Sequence, residues 1–441
     1  SHSRLLERMP VLGLTVGVRA LALALALALV LLCESAALSM STAAATAASS
    51  ALGPRILVIG GSGRVGGSAV RALHEQRALM PGMRLSVAGR RRENWEQYLA
   101  SKPELQGADV GFIELDYTDA PALHRAIDQC DVVVNTAGPF QGLASPLVLQ
   151  TALSLGKQYV DVCDDIKLSR VARAEPMQQL ARKTGATAII STGIWPGCSS
   201  LLASKIVLDI GLSEVEKVLF SFYTAGSGGA GPTILSATFL ILGEDVLTYK
   251  GGLPVFKKSA SDVTAVNFGE LGDRDVARLN LIECESCFQM GVRTVETYFG
   301  TSPTVWNKLF VLMANLIPQS VLRDRAKMDL LARISLPMVR LVDSLVGSQN
   351  GIRVDVTKTN GEKKTGMLLH QDLEKCVGDA IAAFVLELGL RNGRSGPSGK
   401  NDPPIPPGVY FPEELPSEEM KESILQAVAK DAILYSADWM G

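Results

Sequence analysis

Charge of one sign is missing from this chain: 43 Lys and Arg stand against 45 Asp and Glu, a formal net charge of −2. That balance removes nucleic acid as a bulk partner, since such partners are held by an excess of cations. Histidine is scarce, with four residues, and no His sits beside a cysteine pair. The seven cysteines are scattered, and Cys284-x-x-Cys287 has no second such pair. A structural zinc site needs four ligands, so no metal is read. Buried thiols are the expectation for Cys130, Cys163, Cys198, Cys284, Cys287 and Cys376, rather than a disulfide scaffold. Long apolar runs are missing as well. Ala20–Leu32 (ALALALALALVLL) has 13 residues, short of the roughly 20 that span a bilayer. No internal repeat is present. With 47% hydrophobic residues over 441 positions, the composition is that of a globular chain long enough for two domains.

The first fifty residues differ from the rest. Arg19 and the apolar run after Met9 fit a secretory signal, with Ser35, Ala36 and Ala37 as a cleavage site. An acid-free Ser/Thr/Ala stretch from Ser39 to Ala51 follows, which is a transit-peptide feature. Together they read as a signal/transit leader over residues 1–51 addressed to a plastid (chloroplast). Simple secretion and a retained membrane anchor are the alternatives.

From Arg55 onward, strands and helices alternate. RILVI (55–59), RLSVA (84–88), VGFIEL (110–115), DVVVNT (131–136), residues 158–162 and TAIIS (187–191) read as six strands with helices between them. That grammar is a parallel sheet covered on both faces. After Gly193 it changes to longer strands and turns, which predicts a second, α+β domain with an antiparallel sheet. Asn360-Gly361 marks a hairpin after the alternating strand Ile352–Thr359. Residues 372–390 predict a helix. Residues 392–407, rich in Gly, Ser and Pro, predict a loop. The tail from Ser417 is read as helical. The fold class is therefore α/β: a Rossmann-type doubly wound parallel sheet with a second α+β domain.

Gly61-Ser62-Gly63-Arg64-Val65-Gly66 follows the first strand and opens a helix, with Gly60 before it. The pattern suits a dinucleotide. One glycine lets the chain turn tightly, one lets the backbone approach a pyrophosphate, and one lets helix pack on strand. At the end of the second strand another absence decides the cofactor. NAD enzymes place Asp or Glu there for the ribose hydroxyl; this chain has Gly89-Arg90-Arg91-Arg92. Arginine suits a 2′-phosphate by charge and bidentate geometry, so NADP(H) is expected, held by Arg90 and Arg91. At least one of the three arginines is expected only to solvate the turn. Asp116 is placed to meet the adenine edge. Thr136, Ala137, Gly138 and Pro139, past the fourth strand, border the crevice for the nicotinamide.

Gly60–Gly66, Ala88-Gly89-Arg90, Asn135–Phe140 and Tyr159-Val160-Asp161, with the spacing between them, resemble the saccharopine dehydrogenase-like oxidoreductase family. The resemblance is specific from about Arg55 to Leu202. The segments 226–231 and 408–414 are similar to a cyanobacterial and plastid-type subgroup. The resemblance implies NADP(H)-linked oxidation or reduction. It also implies an NADP-binding domain over 52–195, a substrate and dimerisation domain over 196–370, and C-terminal helices over 371–441 returning to the first domain. It does not fix the substrate. Lysine-pathway members carry an acid in a GLDPG-like turn, where this chain has Gly193-Ile194-Trp195-Pro196-Gly197. An aromatic there cannot pair with an amino-acid ammonium as a carboxylate would, so a small or lipid-like molecule is expected in place of saccharopine.

Hydride transfer also needs a group that manages one proton. Tyr117, Asp161, Cys163, Asp164 and Asp165 lie near the expected crevice, and none stands in a motif that assigns it a catalytic role. For Asp161 a helix cap or turn carboxylate is an equal reading. Residues 305–346 carry two apolar faces with six basic and three acidic residues. Core packing, the cover of a hydrophobic substrate tunnel, a homodimer interface and peripheral membrane contact are the readings for that segment. A non-catalytic NADP(H)-binding protein docking on a membrane or partner is the alternative to an enzyme.

Overall fold

The computed structural model describes residues 53–225, 231–391 and 405–439. The chain divides into two compact units, 1–53 and 54–441. The leader, residues 226–230 of the glycine cluster and residues 392–404 of the expected loop lie outside the described residues. The second unit holds both of the sheets below.

Its first half is β1 (Arg55–Ile59), α1 (Arg64–Glu75), β2 (Arg84–Gly89), α2 (Arg92–Ser101), β3 (Val110–Glu114), α3 (Ala120–Asp128), β4 (Val132–Asn135), α4 (Leu147–Ser154), β5 (Gln158–Asp161), α5 (Ile166–Arg173), α6 (Glu175–Thr184), β6 (Thr187–Ile189) and α7 (Cys198–Ile210). The helices start and stop where the chemistry dictates. Asp119 caps α3 by accepting from the Ala122 N–H at 3.1 Å, and Asp165 caps α5 by accepting from the Leu168 N–H at 2.6 Å. Gly185, at φ 76°, ends α6 in the left-handed region that only glycine enters without strain.

The second half is β7 (Val215–Ala225), α8 (Pro232–Leu242), β8 (Val246–Lys250), β9 (Leu253–Lys257), β10 (Thr264–Asn267), β11 (Asp273–Arg278), α9 (Glu283–Gln289), β12 (Val295–Ser302), α10 (Thr304–Leu316), α11 (Gln319–Leu322), α12 (Arg325–Val346), β13 (Gln349–Lys358), β14 (Lys363–His370), α13 (Leu373–Arg391), β15 (Gly408–Tyr410), α14 (Glu418–Ala429) and β16 (Leu434–Ser436).

Seven strands form the first sheet in the order β15-β6-β5-β4-β1-β2-β3, every pair parallel. The chain order reverses between β1 and β4, which opens a crevice at the carboxyl edge for a ligand. The expected α/β class with a Rossmann-type sheet is what the structure shows. The second sheet runs β10-β11-β12-β7-β13-β14-β16, with the β8–β9 hairpin beside it. It is mixed, not antiparallel as expected, because β12 pairs with β7 in parallel from Val295↔Val218 to Ser302↔Ala225. A long connection holding α8 and α9 joins those two strands, and a crossover of that length permits parallel pairing. The tail also differs from its reading. After α14 it ends in β16, which adds to β14 with Leu368 opposite Tyr435.

Helix α13 packs on α1. A Cβ on Gly378 would lie 2.3 Å from the Ser68 Oγ, so the two backbones meet with no side chain between them. The buried Arg71 on α1 pairs with Asp379 at 2.7 Å beside this contact. The helix that carries the glycine loop is thus held from behind by the C-terminal part of the chain.

Candidate functional site

Gly60 to Gly66 form a closed turn between β1 and α1. The Gly63 N–H donates to the Gly60 carbonyl at 2.9 Å, and Gly60 sits at φ +81°. A Cβ on Gly66 would meet Thr136 Oγ1 at 2.4 Å and the Gly60 carbonyl at 2.5 Å; one on Gly60 would meet the Ala137 nitrogen at 2.9 Å. The loop therefore lies directly against the Thr136-Ala137 backbone past β4, and glycine is the residue that fits. Gly63 caps α1 with no side chain to occupy the N–H groups of the first turn, which suits an anion. Ser62 lies against the end of β2, since a Cβ on Gly89 would be 2.8 Å from its Oγ. Val65, in the first turn of α1, packs on the core. The Arg64 guanidinium pairs with Glu374 on α13, so its charge is engaged behind the loop.

Three arginines follow β2, and they separate. Arg92 stacks on the Phe112 ring at 4.9 Å. Arg90 and Arg91 are exposed, and neither has an ion-pair partner among the described residues. Asp116 is exposed past β3. It accepts from the Thr118 N–H at 3.0 Å and the Thr118 hydroxyl at 2.7 Å. Those bonds, with Arg90 nearby, hold its carboxyl below the usual range.

Thr136 donates its hydroxyl to the Ile59 carbonyl at 2.9 Å, tying the loop past β4 to β1. Ala137 donates its N–H to Asn135 Oδ1 at 3.2 Å, and Gly138 and Pro139 continue the loop. Behind it runs a buried chain. Asn135 donates to the Tyr159 hydroxyl at 3.1 Å, and that hydroxyl donates to Asp161 Oδ2 at 2.9 Å. The other Asp161 oxygen accepts from the Cys163 N–H at 3.0 Å and the Ser191 N–H at 2.8 Å. Burial pushes this carboxyl up to about 6. Asp161 fastens the ends of β5 and β6, the turn-carboxylate reading of that residue. Asp165 is the cap of α5, and burial raises the Cys163 thiol well above its usual range, which removes a thiolate. His370 is buried, with Nε2 2.9 Å from the Val428 carbonyl, away from these loops.

Two cavities open along the carboxyl edge. The smaller, about 200 Å³, lies between Tyr117, Ala137, Phe140, Asp161 and Cys163. The larger is about 510 Å³. Its walls are mainly apolar side chains of α8, α10 and α12, including Phe239, Trp306, Phe310, Met313 and Val339. Its end at the first sheet carries Asp164, Trp195, Pro196 and Glu283. Cys163 and Asp164, neighbours past β5, thus border different cavities. Burial pushes Asp164 up to about 6 and Glu283 up to about 7. Glu283 accepts from the Ser199 hydroxyl at 2.8 Å. Gln141 faces Asp164, and neither of its buried amide atoms has a hydrogen-bond partner of ordinary geometry. Among the described residues no cluster of His, Cys, Asp or Glu could hold a metal.

The family pattern for the saccharopine dehydrogenase NADP-binding domain matches residues 56–190, from the core of β1 to the end of β6. Residues 56–190 are thus similar to the NADP-binding domain of saccharopine dehydrogenases. A mouse (Mus musculus) saccharopine dehydrogenase-like oxidoreductase is 27% identical over 194 residues, 42% of this chain and 44% of that protein. The match thus spans less than half of the curated relative's length. The apo saccharopine dehydrogenase (L-Glu forming) of Saccharomyces cerevisiae superposes with a TM-score of 0.56 at 14% identity, over 86% of this chain and 97% of that one. That likeness shows the fold. The glycine cradle between β1 and α1 fits the nicotinamide dinucleotide that such a domain binds.

Glu283 is a cavity residue that the sequence did not single out. It stands in Leu279–Phe288 among Asn280, Glu285 and Ser286, so nothing in the local sequence marks it. Only the fold shows that the stretch ends at the cavity.

Proposed function

We propose that the chain is an NADP(H)-dependent oxidoreductase whose substrate is lipid-like. The apolar cavity carries this reading, because it ends on the carboxyl edge of the Rossmann-type sheet, where the nicotinamide side of the cofactor belongs. The glycine loop 60–66 receives the pyrophosphate, and Arg90, Arg91 and Ser62 receive the 2′-phosphate. The bound cofactor supplies or accepts a hydride. The cavity excludes water and holds an apolar chain, with its reacting group beside Asp164 and Glu283. Both carboxyls are protonated more readily than ordinary ones, and either is suited to pass a proton to an oxygen or carbon at that end. A non-catalytic NADP(H)-binding role is the second reading. The observation favouring it is that Asp161 and Asp165 are both consumed by backbone bonds.

The test is NADPH consumption with a series of enals and ketones of rising chain length. Each buried methylene is worth about 0.8 kcal/mol, so kcat/KM should rise roughly fourfold per carbon until the cavity fills. Ala237→Trp, which fills the cavity wall, should retain NADPH binding and lose the long substrates. A flat chain-length profile would overturn the reading.

A further inference from the structure

We propose that the outer face of α10 and α12 docks on an anionic lipid bilayer and presents the apolar cavity to it. This rests on the lipid-like substrate proposed above and names where that substrate comes from.

Val305, Leu312 and Leu316 recur at i, i+7 and i+11 on α10, and are 59%, 52% and 72% exposed. Leu330, Ile334 and Met338 recur at i, i+4 and i+8 on α12, and are 59%, 68% and 51% exposed. Each set lies on one face of its helix. A surface helix ordinarily turns polar residues outward. These two instead carry apolar residues outward, and other apolar residues of the same helices wall the cavity. Met338 does both: half exposed, it also lines the cavity. At that point one side chain separates cavity from exterior.

Charge selects the occupant. Residues 304–346 hold Lys308, Arg323, Arg325, Lys327, Arg333 and Arg340 against Asp324, Asp329 and Asp343, so six minus three gives +3 in a chain of net −2. Lys308 lies one helical turn from Leu312 on the same face. Arg333 and Arg340 are exposed on the flank of the α12 stripe. An apolar stripe edged by cations matches acyl chains below phosphate headgroups. Arg323 is paired with Asp245 and Lys327 with Asp324, and a second copy of this chain docked face to face would set the exposed Lys308, Arg333 and Arg340 against the same three cations. No helix among the described residues is long and apolar enough to cross a membrane, so this is contact in the plane of the surface.

The experiment is co-sedimentation of the full chain with vesicles of phosphatidylcholine alone and of phosphatidylcholine with phosphatidylglycerol. Binding is expected on the anionic vesicles, at least tenfold stronger than on neutral ones and weakened by salt. Leu316→Glu/Ile334→Glu should lose it tenfold or more, with NADPH affinity and melting temperature unchanged, since neither residue lines the cavity. Arg333→Glu/Arg340→Glu should lose the preference for anionic lipid. Absence of vesicle binding by the wild type would overturn the proposal. So would a dimer that Leu316→Glu/Ile334→Glu dissociates while vesicle binding is untouched. The substrate reading is separated by turnover of dispersed substrates. A missing chain-length effect with intact vesicle binding removes that reading and leaves the docking. The reverse pattern removes the docking alone.

Discussion

In the proposed function Arg90 and Arg91 carry the choice of cofactor, because Arg92 is spent on the Phe112 ring and no acid stands at the end of β2. A hydrogen bond to a charged group is worth about 1.5–3 kcal/mol. Arg90→Ala/Arg91→Ala should therefore weaken NADPH binding roughly ten- to a hundredfold and leave NADH binding unchanged, as read by calorimetry. Equal losses for both cofactors would assign the arginines to the turn alone. A second residue-scale prediction concerns Glu413. Burial raises its carboxyl from 4.5 to about 7, so the fold favours the neutral form. That stabilisation is complete below the unfolded value of 4.5 and is lost as pH rises through 7. Glu413→Gln, which cannot ionise, should raise the melting temperature at pH 8 and change it little at pH 5. The gain at pH 8 is on the order of 3 kcal/mol, the free energy of holding a proton that tightly in the fold and not in the open chain. A larger gain at pH 5 than at pH 8 would contradict the assignment.

Between elements, the contact of α1 with α13 sets where the glycine loop stands. Gly378→Ala would drive a methyl into Ser68, and overpacking of this kind costs about 1–3 kcal/mol. The denaturation midpoint should fall accordingly, and NADPH affinity should fall with it because α1 must move. Unchanged stability would mean that the two helices separate freely. The same elements show what the sequence could carry. Six strands and the glycine loop were legible because burial on both faces and tight turns leave local signatures. The parallel pairing of β7 with β12 was not, since it joins residues about 80 positions apart and no local period records it. Strand β15 has three residues, too few for a period, yet it extends the first sheet beside β6. At the site, the glycines and arginines were readable as a motif. The engagement of Arg64 with Glu374, the use of Asp161 as a fastener and the place of Glu283 at the cavity end are tertiary facts.

In the whole molecule, two sheets divide the work. The first sheet, with its glycine loop, provides the nucleotide site. The second sheet and the helices attached to it provide an apolar cavity that ends on the first sheet's carboxyl edge. That adjacency is the basis for reading the chain as an enzyme rather than a nucleotide-binding scaffold. The direct measurement is to incubate the protein with NADPH deuterated at C4, on either face, and a lipid extract, and to follow the label by mass spectrometry. The account predicts deuterium in chloroform-soluble product, from one face of the cofactor, and its loss with Ala237→Trp. Deuterium that stays in a tightly bound cofactor would contradict it.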